Sequence, residues 1–164
     1  MTAVRSIYGV MTLFSFAMLG TTHGEPSDPQ GMAAQGWDFL KKQQYAASTN
    51  ISEKCVSAFG PKARRVNADA LKNGEQVPIT GEPQDSGDRN RIKHYAFLND
   101  VVACYYILAT SYENTHKCAA AKGTYDILKD LNYGRIWDPT GQKFVWDPSE
   151  NAQDWIANKS SLCK

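Results

Sequence analysis

Hydrolytic or group-transfer chemistry needs an activated nucleophile, a positioned acid and base, or a metal. Beyond the N-terminal segment the histidines are His94 and His116, and no G-x-S-x-G, H-E-x-x-H or P-loop pattern occurs. Asp138 and Asp147, each inside a Trp-Asp-Pro triplet, are the carboxylates that would serve as an acid/base couple. Each also has a local structural use. Asp138-Pro139-Thr140-Gly141 is a type I turn sequence, and Asp147-Pro148-Ser149-Glu150 reads as a capped helix start. The four cysteines, Cys55, Cys104, Cys118 and Cys163, match neither a zinc spacing nor a C-x-x-C redox motif. No catalytic residue, metal or cofactor is predicted.

The aromatic residues of the tail, Tyr133, Trp137, Phe144, Trp146 and Trp155, have two uses. Flat indole faces can stack on sugar rings, and large aromatics can close a small hydrophobic core. The second is expected, with a carbohydrate-active or cell-wall enzyme, or a sugar-binding protein, as the alternative function.

These residues must be positioned by a chain whose first segment reads as an export signal. Arg5 precedes an apolar run from Ile7 to Leu19, which leads into Gly20-Thr21-Thr22-His23-Gly24. The run is roughly a dozen residues, short of the ~20 that span a bilayer as a helix. A signal peptide over residues 1–24 is therefore expected, followed by one domain over residues 25–164 that is periplasmic or secreted and not stably inserted in a membrane. Losing Arg5 leaves 17 Lys and Arg against 17 Asp and Glu. That balance argues against nucleic-acid binding, which needs a basic excess.

Apolar spacing of three and four predicts helices. Met32, Gly36, Phe39 and Leu40 mark the first, and Lys41 to Gln44 the break after it. Tyr45, Ile51, Cys55, Val56 and Phe59 mark the second, with Gly60-Pro61 as its expected end and a short helix from Lys62 to Leu71 beyond. Turn formers crowd the stretch from Lys72 to Asn90, so a long and mobile loop is expected at about 72–90. Val101, Cys104, Tyr105, Leu108 and Tyr112 mark the strongest helix, about 97–112; its partner runs over 116–131, capped by Asn114 or Thr115. A closing helix begins after Asp147 and runs to about Ser160, while Lys143 to Trp146 is expected to be too short for a sheet.

An even cysteine count in an exported chain predicts two disulfides. In a hairpin turning near Asn114, Cys104 and Cys118 lie at heights differing by roughly 9 Å, too far to bond. Cys55 with Cys104 and Cys118 with Cys163 is the favoured pairing; Cys55 with Cys118 and Cys104 with Cys163 is the crossed alternative.

The second hairpin resembles a tetratricopeptide unit. That family's run of aromatic, leucine, small residue and aromatic, then alanine, aromatic and apolar residue across the turn, falls on Tyr105, Leu108, Ala109, Tyr112, Ala121, Tyr125 and Leu128. In the first hairpin Gly36, Phe39 and Tyr45 fit, but Ser48 stands where alanine is expected. The segment from Leu98 to Trp146 is also similar to uncharacterised exported bacterial proteins with such hairpins and a Trp-Asp-Pro-x-Gly stretch. The resemblance implies an all-α fold of two antiparallel hairpins plus a closing helix, stapled by disulfides. It further implies a non-enzymatic binding or scaffolding module for a peptide or protein partner; an exported effector or immunity protein acting between cells is another binding role that the sequence leaves open. The concave face of such hairpins is lined by the first helix of each pair, which places Tyr106, Thr110 and Glu113 as ligand-binding residues.

Overall fold

The computed structural model describes residues 27–138, 144–160 and 163, so the expected signal peptide and the Pro139-Thr140-Gly141 turn lie outside the described residues. Helix α1 (Pro29–Lys41) begins where Asp28 accepts the Gly31 amide at 2.8 Å and Pro29 takes a first-turn position whose missing N–H costs nothing. It turns back into α2 (Tyr45–Lys72). The second hairpin pairs α4 (Ala96–Asn114) with α5 (Cys118–Leu128).

Both hairpins turn in the same way. Gln43 (φ 57°) and His116 (φ 56°) occupy the left-handed region, and the next residues, Gln44 and Lys117, share dihedrals near −85° and 60°. Gln44 N donates to Phe39 O and Lys117 N to Tyr112 O, both at 2.9 Å, which satisfies a terminal carbonyl of each first helix. The expected side-chain cap on α5 is absent. Asn114 and Thr115 instead donate backwards, to Thr110 O and Ser111 O.

Gly60-Pro61 does not end the second helix, contrary to expectation. Helix α2 runs through it for 28 residues, absorbing the separate helix expected from Lys62 to Leu71. Pro61 and Ser57, whose carbonyl loses its donor, both lie on the exposed side, where water replaces the missing bond. Gly60 faces inward, and a Cβ there would fall on the Tyr105 hydroxyl. Its role is close helix contact with α4 rather than a stop.

Helix α4 is apolar on nearly every side because it is central, packing on α1, α2 and α5. Leu98, Val101, Val102, Cys104, Ile107 and Ala109 are fully or almost fully buried. At the first hairpin's departure from the repeat pattern, Ser48 donates to Gly36 O at 3.2 Å and accepts from Ser111 at 2.9 Å. A buried hydroxyl pair thus stands where alanine would leave an apolar contact, and it is satisfied.

The long loop is shorter than expected. Asp85 accepts the Asp88 amide and starts α3 (Ser86–His94), so the irregular stretch is residues 73–85. That stretch is also tied to the body of the fold. Pro78 is buried, the Tyr95 hydroxyl donates to the Glu75 carboxylate at 2.5 Å, and the Tyr133 hydroxyl donates to Glu75 O at 2.8 Å. The tail corrects a further expectation: β1 (Ile136–Trp137) and β2 (Val145–Trp146) form an antiparallel pair, Ile136 opposite Trp146. Gly81 bonds to Val145 in both directions, so the anchored loop completes the ribbon.

Helix α6 (Pro148–Asp154) follows, with Asp147 accepting the Ser149 amide as expected, and ends in a π turn (Trp155–Lys159). Two disulfides staple the fold in the favoured pairing. Cys55–Cys104 joins α2 to α4 and Cys118–Cys163 ties the start of α5 to the chain end. The fold is all-α: two antiparallel hairpins and a closing helix. No helix among the described residues is long and apolar enough to cross a membrane.

Candidate functional site

Arg135, which is 3 % exposed, is a heavily bonded side chain at the start of the tail. Its guanidinium donates to the carbonyls of Pro78, Ile79, Asn132 and Gly134 and pairs with Asp147 at 3.1 Å. Its own amide donates to Asn99 Oδ1 at 2.8 Å. Burial lowers the guanidinium pKa, and the nearby charges of Asp147 and Glu150 oppose that shift. One residue therefore ties the base of β1 to the loop and the start of α6 through its guanidinium and to α4 through its amide. Gly134 permits this approach, since a Cβ there would lie 2.5 Å from Val102 Cγ2.

The rigid base sets the direction of Trp137. Side chains alternate along a strand, so Ile136 points into the core and Trp137 outward, 47 % exposed. Three adjoining depressions meet at this indole. One, of about 220 Å³, runs between α1 and α4 over Ala33, Ala34 and Ala103. A second, of about 240 Å³, reaches α3 at Ile92 and Lys93; both share Gln30, Asn99 and Asp100 with Trp137. The third, of about 250 Å³, is lined by Glu82, Pro83 and Arg89. Burial, with a smaller contribution from the Asp28 carboxylate, pushes Asp100 up to about 6.

Tyr106, Thr110 and Glu113 are brought together by α4, with Tyr125 of α5 as a fourth member. The Tyr125 hydroxyl donates to Glu113 at 3.2 Å. Burial raises both the Tyr106 and Tyr125 phenols; the Thr110 hydroxyl opposes that rise and the Glu113 charge adds to it. Tyr106 is flanked by Trp37, 5.8 Å between ring centres, and by Trp146 edge-on at 4.8 Å. Trp146 of the tail ribbon thus packs on Tyr106 of α4. Glu113 reaches a separate cleft of about 240 Å³ beside His116, Lys159 and Cys163.

No protein-family model, curated protein or solved structure matches this chain.

The geometry sorts the tail residues that sequence spacing left together. Tyr133 and Trp155 are 3 % exposed, with Trp155 stacked on Tyr125 at 4.6 Å, and Phe144 and Trp146 are half-buried. Trp137 alone of these five is exposed. Asp147 is committed to Arg135 and to the α6 cap, so it does not face solvent with Asp138. Among the described residues no group of three or more His, Cys, Asp or Glu is placed to hold a metal. Asp100 escaped the sequence reading, although a signal was present: it is the one charged residue between Ala96 and Tyr112 on an otherwise apolar helix.

Proposed function

We propose that this protein is a non-enzymatic binding module of the cell envelope or extracellular space, recognising a peptide or protein partner through the surface around Trp137. The observation that carries this reading is an open indole held on a rigid base where three depressions meet. Tryptophan anchors of this kind supply much of the binding energy at protein interfaces. The shared turn geometry of the two hairpins supports the tetratricopeptide likeness, and with it a scaffolding role. Two disulfides are compatible with an oxidising compartment.

Capture from the native envelope or secreted fraction, using wild type and Trp137→Ala side by side, tests the reading. A partner held by wild type and lost by the variant is expected; identical captured sets would contradict it. Export is tested separately by mass spectrometry, with a mature N-terminus expected between residues 18 and 25. An intact Met1 on a membrane-bound product would oppose it.

A sugar-binding role is the second reading, favoured by the same open indole face beside a carboxylate. Saturable quenching of Trp137 fluorescence by a soluble oligosaccharide would support it over the protein-partner reading.

A further inference from the structure

We propose that the groove between Trp137 and Asp100 receives a positively charged side chain, arginine or lysine, from the protein partner. This inference rests on the binding role assigned above to the Trp137 surface and names the chemistry recognised there.

Asp100 lies half-buried in the groove wall and has no hydrogen-bond or ion-pair partner among the described residues. A carboxylate in that position has lost much of its hydration without gaining a compensating charge, a cost that a cation removes. The charged groups on the surrounding elements do not supply one. Asp28, at the start of α1, adds a second negative charge, and its Oδ1 is engaged with the Gly31 amide. Arg135 is committed to Asp147 and four carbonyls. Lys93 of α3 lines the outer depression and forms no ion pair with Asp100.

The rest of the groove suits the same occupant. Ala33, Ala34 and Ala103 line it, and their small methyl groups leave room for an aliphatic stem. Trp137 presents its exposed indole at the rim, where a cation is attracted to the ring face. A planar guanidinium would both stack on the indole and pair with the carboxylate, so arginine is expected to bind more tightly than lysine.

The test uses the full mature chain and a capped Gly-Arg-Gly peptide, with the citrulline peptide as its neutral counterpart. The indole N–H of Trp137, assigned by Trp137→Phe, is followed by nuclear magnetic resonance. A saturable shift with the arginine peptide is expected, weakened about five-fold or more in Asp100→Asn and with citrulline. Equal response to citrulline, an unchanged affinity in Asp100→Asn, or no shift at all would overturn the proposal. A captured partner lost with Trp137→Ala but kept by Asp100→Asn would leave the binding surface standing and remove the cationic group. Loss of neither would instead count against the surface itself.

Discussion

Arg135 and Asp147 form an ion pair at 3.1 Å in which neither side chain is more than 9 % exposed. It joins residues on either side of the tail ribbon. Removing one member leaves the other charged and buried, so Arg135→Met and Asp147→Asn should each destabilise by about 3–5 kcal/mol. Urea unfolding would measure this. A cost below about 1 kcal/mol would mean that the pair is open to water.

Gly134 should be hard to replace. Its added Cβ would meet three atoms of Val102, a branched core side chain with little room to move, so Gly134→Ala should cost about 1–3 kcal/mol. Combined with Val102→Ala, the loss should be less than the sum of the single changes. Additivity in that double-mutant cycle would show that the clash is relieved elsewhere.

The two disulfides should differ in accessibility. Cys55 and Cys104 are wholly buried, whereas Cys118 and Cys163 are partly exposed. Under mild reductant at native pH, alkylation should therefore label Cys118 and Cys163 first. Replacing either pair with alanine should cost about 2–4 kcal/mol in the chain-entropy model. Non-reducing peptide maps should return Cys55 with Cys104 and Cys118 with Cys163.

Asp100 should make stability fall with rising pH. Its carboxyl is pushed up to about 6 in the folded protein from 3.8, chiefly by burial and then by Asp28. The folded state therefore holds this proton more tightly. Its contribution is full below about pH 4 and is lost as pH rises through 6. Because the group is half-buried, solvent screening reduces the effect to about 1 kcal/mol. Asp100→Asn should lack this increment and exceed wild type in stability at pH 7.5, as judged by urea unfolding at pH 4.5 and 7.5. Parallel behaviour of the two proteins would refute it.

Local signals were legible in the residues. Spacings of three and four marked both hairpins, Asp147-Pro148 marked the last helix, and the height argument excluded a Cys104–Cys118 bridge, which the fold indeed lacks. These depend on neighbours within a few turns, or on one hairpin's geometry, which short-range sequence encodes directly. Gly60-Pro61 and the 72–90 stretch were misread for the opposite reason. Whether glycine stops a helix or lets Tyr105 approach, and whether turn formers stay loose or are fastened by Arg135, depends on partners 45 to 57 residues away. The same holds for the site. Five tail aromatics share one composition, and only the register Ile136 opposite Trp146 buries Ile136 and leaves Trp137 in the open. The sequence alone determined the two hairpins and the last helix and ruled out a Cys104–Cys118 bridge; tertiary packing decided which side chains face water, because burial is a property of surfaces brought together from distant parts of the chain.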